Sequence, residues 1–160
     1  MQSEVPVIDT LDWHPKIIAM HTYWRSLSAD GRRLPSRADV DPTSIPALLA
    51  NIFMLDVIEA PLRFRYRLVG SKLVSAGGRE MKGMLMEKAH PNLFSAQPYA
   101  DYPACVREHR VSRRLGAPVF DWDREHVRIE RLLLPLAADG QHVDTILGLS
   151  VFFAMNGEEI

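Results

Sequence analysis

Asn51-Ile-Phe-Met-Leu-Asp-Val-Ile-Glu59, then after a short turn Arg63-Phe-Arg-Tyr-Arg-Leu-Val-Gly70, then Ser71-Lys-Leu-Val-Ser-Ala-Gly-Gly-Arg-Glu-Met-Lys-Gly83, is the stretch that decides the fold. It reads as strand, hairpin, strand and a short helix closed by glycines. In the first strand, Asn51–Ile58, residues Phe53, Leu55 and Val57 fall on one face and Ile52, Met54 and Ile58 on the other, with Asp56 the exception on the Met54 face. A strand apolar on both faces is a central strand covered on both sides. The second strand alternates strictly, Phe64, Tyr66 and Leu68 against Arg63, Arg65 and Arg67, so one face is buried and the other is wet or paired. Cross-strand pairing with Asp56 or Glu59 is one use for the arginine row; holding an anionic ligand is the other. Gly77-Gly78 stops a helix over Ser71–Ala76. The glycine turns resemble a phosphate loop only superficially, because the spacing is wrong and no Gly-Lys-Ser/Thr follows.

Upstream, residues 1–12 read as an extended arm. A helix starts near Trp13, with Pro15 in its first turn, and ends at Asp30-Gly31. Ile17, Met20, Trp24 and Leu27 share one face at helical spacing. That stripe either packs on the chain's own sheet or pairs with a second copy as a dimer interface. Pro35, Pro42 and Pro46 forbid a long helix in the next segment. Asp41 or Ser44 is placed to cap a short helix carrying Ile45, Leu48 and Leu49. Asp39 and Asp41 read as turn-setting residues rather than as a metal or acid/base pair.

Downstream, Met84 and Met86 suit irregular filling. A helix is expected from Asp101 to Arg114, with Pro103 in its first turn, Cys105, His109 and Ser112 on one face, and Arg113-Arg114 at the negative end of its dipole. Three strands close the chain: Ala117–Trp122, His126–Leu136 and Val143–Phe153. A phase shift near Arg131–Leu134 suggests a bulge, and Ala138-Asp-Gly-Gln makes the last hairpin. The element order implies an α+β domain over residues 13–155, a five-stranded antiparallel sheet crossed on one face by helices, with residues 156–160 as a frayed tail. Such a crossing encloses space for a small ligand.

A chain of 160 residues fits one domain. Nineteen basic against 20 acidic side chains leave no basic field for nucleic acid. The single cysteine, Cys105, excludes a disulfide framework and a cysteine-rich zinc site, and fits a reducing compartment. The start has no secretory pattern, and the apolar runs Leu132–Leu136 and Ile146–Phe153 are too short for a bilayer. A cytoplasmic protein without membrane or nucleic-acid partners is expected. The histidines show no ligand spacing, so no metal site is expected.

Leu34-Pro-Ser-Arg-Ala-Asp-Val-Asp-Pro42, Phe64-Arg-Tyr-Arg-Leu-Val-Gly70, Gly78-Arg-Glu-Met-Lys-Gly83 and Leu134-Pro-Leu-Ala-Ala-Asp-Gly140, spread between Tyr23 and Phe153, resemble the PAS-like family of short single-domain proteobacterial proteins. The resemblance implies a sensory or ligand-binding module, often dimeric through a helix before the sheet, without catalytic residues or a generally assigned ligand. On that footing the expected pocket comprises Tyr66, Tyr102, His109 and Trp122, with Arg67 as an anion partner. With no output domain in view, a signal passes through a partner protein or through the dimer. The cofactor is left open. A flavin photosensor of this fold needs an Asn-Cys-Arg-Phe-like motif, whereas Cys105 sits in Ala-Cys-Val-Arg, and the Cys-x-x-Cys-His of covalent haem is absent. Non-covalent haem would need a histidine before the third strand, and His109 is the candidate. Two other readings stand beside the sensor: a pure interaction module with a filled core, and a small cone-fold isomerase or hydrolase using Asp56 or Asp121 with His109. No carboxylate pair or Ser/His/Asp spacing supports the enzyme.

Overall fold

A computed structural model describes residues 12–28, 33–117 and 128–160. Its elements are α1 (Pro15–Ser26), β1 (Ile52–Ile58), β2 (Arg63–Val69), α2 (Ser71–Gly77), α3 (Met86–Ala89), α4 (Pro91–Phe94), α5 (Asp101–Glu108), β3 (Ser112–Gly116), β4 (Arg128–Leu136) and β5 (Thr145–Phe153). The strands form one antiparallel sheet in the order β2-β1-β5-β4-β3, so the front hairpin and the closing strands are joined through β1 and β5 at its centre.

The period of two along each strand feeds two separate cores. On the inner face Phe53, Leu55, Phe64, Tyr66, Leu133 and Ile146 pack beneath residues of the helical middle, among them Leu73, Met86, Leu93, Tyr102 and Cys105. On the outer face Ile52, Met54, Leu132, Leu134, Leu147 and Leu149 meet Ile17 and Met20 of α1 and the turn residues Ile45 and Leu48. Each wholly buried Leu or Ile contributes about 2 kcal/mol of hydrophobic stabilisation. Gly148 of β5 lies directly across from Phe53 and Leu133. A Cβ there would come within 2.0 Å of the Phe53 ring, so only glycine lets that ring lie flat on the strand.

Helix α1 is started by His14, whose Nδ1 accepts the Lys16 N–H at 3.0 Å, with Pro15 at its first position. Near its other end the Trp24 indole donates to the Pro135 carbonyl at 2.9 Å. The apolar stripe therefore packs on the chain's own sheet. Ile17 and Met20 are completely buried there, and Trp24 and Leu27 are partly covered. As packed, the stripe has no open apolar surface at Ile17 or Met20 for a second copy.

The proline-rich segment forms three short 3-10 helices and no long helix, the last of them carrying Leu48 and Leu49 after Ile45 at its start. Asp41 caps Pro42–Ser44 by accepting the Thr43 N–H at 2.9 Å, and Pro46 opens a further turn over Pro46–Asn51. Asp39 closes a capping box with Ser36. Both aspartates thus set turns.

Four expectations are corrected. Helix α5 stops at Glu108, and His109 takes a left-handed conformation with φ 54°. Ser112–Gly116, expected as its last turn, is edge strand β3, with Arg114 opposite Arg131 of β4; pairing to a waiting strand outweighs helical propensity here. The strand expected at Ala117–Trp122, like Asp30-Gly31, the arm over residues 1–11 and Asp121, falls on residues outside those described, apart from Ala117 itself. Strand β4 has no bulge, its register with β5 running unbroken from Arg128↔Phe153 to Leu136↔Thr145. Its apparent phase shift reflects burial on both faces. The bulge lies in β2, where Tyr66 pairs Leu55 but Leu68 pairs Met54, leaving Arg67 as the extra residue. Leu68 consequently turns to the outer face beside Met54 and is 41% exposed. Finally, the last residues are not frayed: the Ile160 N–H donates to the Phe152 carbonyl at 2.9 Å, and the Glu159 carboxylate meets Lys16 Nζ at 2.6 Å.

Candidate functional site

The alternation of β2 sends Tyr66 to the inner face, and the period of α5 brings Tyr102 down onto the same layer. There they join an aromatic cluster. Phe53 and Tyr66 centroids are 6.3 Å apart, Phe64 and Tyr102 6.0 Å, and the His90 ring stands edge-on to Tyr66 at 5.8 Å. Tyr66 and Tyr102 are only 4% and 2% exposed, so they serve as packed core rather than as the wall of an open chamber. Burial, with Tyr102 adding to it, pushes the Tyr66 phenol well above its usual range.

Two polar residues of this layer were not singled out in the sequence. His90 is buried, and burial, helped by the Arg79 charge, lowers its imidazole to about 4. It is neutral at physiological pH. Arg131 of β4 is buried with its guanidinium 5.2 Å over the Tyr102 ring, donating to Asp101 Oδ2 at 2.9 Å and Ser112 Oγ at 3.0 Å. It ties α5, β3 and β4 together. The available signal was an arginine inside the apolar run Ile129–Leu136. Cys105 is wholly buried. Burial raises its thiol to about 12 against the opposing pull of Arg131, so it is a packing residue and not a nucleophile at neutral pH.

The remaining expected site residues lie elsewhere. Arg67 is on the other side of the sheet, its Nε donating to Asp56 Oδ1 at 2.7 Å, with Arg37 3.7 Å from the same oxygen. This is the cross-strand pairing reading of the arginine row. His109 is exposed beyond the end of α5. Trp122 lies outside the described residues. Of the five, the structure brings Tyr66 and Tyr102 together.

His109 instead lines a groove of about 590 Å³ at one end of the sheet. Its walls are the end of β1 (Val57, Glu59), the end of α5 (Val106, Arg107, His109) and the β4–β5 hairpin from Ala138 to Asp144. Asp139 holds that hairpin, accepting the N–H groups of Gln141 at 2.8 Å and His142 at 2.7 Å, with His142 Nδ1 2.6 Å from its other oxygen. Those backbone donors, His142 first and Gln141 second, hold the Asp139 carboxyl well below the usual range. The hydrogen bond and charge of Asp139 in turn raise the His142 imidazole. Among the described residues no group of three or more His, Cys, Asp or Glu is placed to hold a metal ion, and no helix is long and apolar enough to cross a membrane.

On the outer face a buried carboxylate anchors α1. Glu130 of β4 accepts the His14 backbone N–H at 2.9 Å and pairs with Arg113 of β3 at 3.2 Å. Arg113 also lies over the Trp13 ring at 5.9 Å.

A five-stranded antiparallel sheet in the order 2-1-5-4-3, with short helices over one face and a leading helix over the other, defines the class of PAS-fold domains, which are generally sensory and regulatory. The family model described as PAS domain matches residues 13–151, and the chain belongs to that family. Among solved structures it is similar to the LOV protein of Rhodobacter sphaeroides, at 15% identity over 74% of this chain and 71% of that one, with a TM-score of 0.49. It is also similar to a fungal LOV domain photoreceptor, at 14% identity over 74% of this chain and 95% of that one, with a TM-score of 0.48. No curated protein matches the sequence.

Proposed function

We propose that this PAS domain is a non-catalytic regulatory module that changes state by altering how α1 sits on the sheet, and that a partner protein or a second copy reads the change. The carrying observation is the alternation within β4. Ile129, Arg131 and Leu133 face the inner layer, while Glu130, Leu132 and Leu134 lie under α1. Successive residues of one strand share a rigid backbone, so a shift of the inner layer moves the seat of the helix. Glu130 concentrates that coupling, because removing one partner of a buried ion pair costs about 3 kcal/mol. Hydrogen exchange on Glu130→Ala tests the device. Protection is expected to fall selectively over 15–26 while β5 and α5 keep theirs. A uniform loss along the chain, or none, would sink the proposal.

The filled inner layer favours a second reading, an interaction module that takes no ligand between sheet and helices. A thermal-shift screen with small metabolites separates the two, since a ligand of the folded state raises the melting temperature by mass action.

A further inference from the structure

The groove at the end of the sheet carries an inference that the packed tyrosine layer does not. Its floor is apolar and comes from three elements: Val57 of β1, Val106 of α5 and Val143 of the hairpin, the last two buried. Its volume of about 590 Å³ lies within the usual span of small-molecule sites. The charged groups on its rim divide into two sets. Asp139 is committed to His142, and Asp144 accepts from the Ala138 N–H at 2.8 Å and the Thr145 hydroxyl at 2.8 Å. Arg107, His109 and Glu59 make no hydrogen bond or ion pair among the described residues, although all three line the same groove. A guanidinium, an imidazole and a carboxylate thus line the groove together with three valines, without a hydrogen bond or ion pair among the described residues, although the Glu59 charge also acts on His142.

We propose that this groove binds a small zwitterion with a branched aliphatic body, of the amino-acid or short-peptide class. Arg107 and His109 hold the ligand carboxylate through charge-assisted hydrogen bonds. Glu59 holds the ammonium, and the valine floor covers the aliphatic body. A metal ion does not fit here, since among the described residues no three His, Cys, Asp or Glu side chains are placed to hold one. The Val57 N–H donates to the Asp144 carbonyl at 3.0 Å, so a ligand here rests on β1 and on the hairpin joining β4 to β5. The proposal rests on the regulatory reading only in supplying what is sensed, and the two are measured separately.

The test is calorimetry on the full chain with L-leucine and L-leucyl-L-leucine. Two controls each lack one charge: 4-methyl-2-oxopentanoate has no ammonium and 3-methylbutylamine has no carboxylate. One-site binding of at least one zwitterion is expected, with each control weaker by about tenfold or more. Binding of leucine alone assigns a free amino acid, and binding of the dipeptide alone assigns a peptide. Arg107→Ala should weaken the zwitterion and the oxo acid about tenfold, and Glu59→Gln should weaken the zwitterion but not the oxo acid. Both positions are exposed, so an unchanged melting temperature verifies that the variants fold. No saturable binding of either zwitterion up to about 5 mM, equal affinity for the controls, or indifference to both substitutions would overturn the proposal. Binding that leaves exchange in α1 unchanged would preserve the site and remove the regulatory route. Selective release of α1 in Glu130→Ala without any binding would do the reverse.

Discussion

The outer layer is aliphatic at its centre, Ile17, Ile45, Leu48, Leu132, Leu134 and Leu149, and keeps its large rings, Trp13, Tyr23 and Trp24, at the rim. The inner layer does the opposite. Phe53, Phe64, Tyr66, Tyr102 and Phe152 occupy its middle, with Met81, Met86 and Cys105 filling between them. Their covers differ as well. One 12-residue helix, held near both ends by hydrogen bonds to the sheet, lies over much of the outer face. Among the described residues the inner face is covered by four α-helices, the longest of eight residues. Helices so short have no independent stability and persist only through packing. Methionine side chains adapt to changes in neighbouring volume. The contrast teaches that the inner layer is the better able to yield; on the proposed reading the outer layer registers the displacement.

Neighbouring leucines of β4 give the largest test. Leu134 faces the outer layer and Leu133 the inner, and both are wholly buried. Leu134→Ala should cost about 4 kcal/mol in urea denaturation and Leu133→Ala about 2, because methionines can relax into the second cavity. Equal costs would break the contrast.

The next effect belongs to the inner layer alone. Folded His90 stays neutral down to about pH 4, whereas in the unfolded chain it takes a proton near its ordinary 6.5. Between those values the unfolded state holds the extra proton. Stability should therefore drop by on the order of 3 kcal/mol as pH falls through the window. His90→Phe should flatten that part of the profile, and an unchanged slope would mean that burial of the ring is incomplete in solution. His142 works with opposite sign. Its raised imidazole lends stability that is present below the ordinary value and lost as pH rises.

The smallest effect is on the outer edge. Arg67→Ala removes a pair whose members both keep substantial solvent contact, and should change stability by about 0.5 kcal/mol or less. A loss several times larger would show that the arginine row does more than pair with Asp56.

Much of this contrast could be read in the residues themselves. The two-sided apolarity of Ile52–Ile58 marks a central strand, and the glycine after Gly77 takes the left-handed conformation that ends α2, with φ 75°. Tyr66 and Tyr102 fall on one layer because alternation and helical period are local properties. What could not be read depends on partners distant in sequence. Arg113-Arg114 follow a helix, and only β4 makes them part of a strand. His90, Glu130 and Arg131 are buried polar groups at positions where periodicity registers only hydrophobicity. Strict alternation sets Arg67 on the face opposite Tyr66, as the structure does, and gives no ground for it in the pocket; what alternation cannot reveal is the inserted residue that turns Leu68 outward.

That inserted residue has a further consequence. One position beyond Val69 lie the constraints that fix where β2 must finish: Gly70 donates to the Ile52 carbonyl at 2.7 Å, and any side chain on it would strike the Ala50 carbonyl oxygen at 2.4 Å. With its far end clamped in this way, the strand cannot absorb a change of length by sliding. A change of length is absorbed at the bulge instead: excising Arg67 would leave Tyr66 opposite Leu55 and Leu68 opposite Met54 in a regular ladder with Gly70 in its seat, and would remove the Asp56 ion pair.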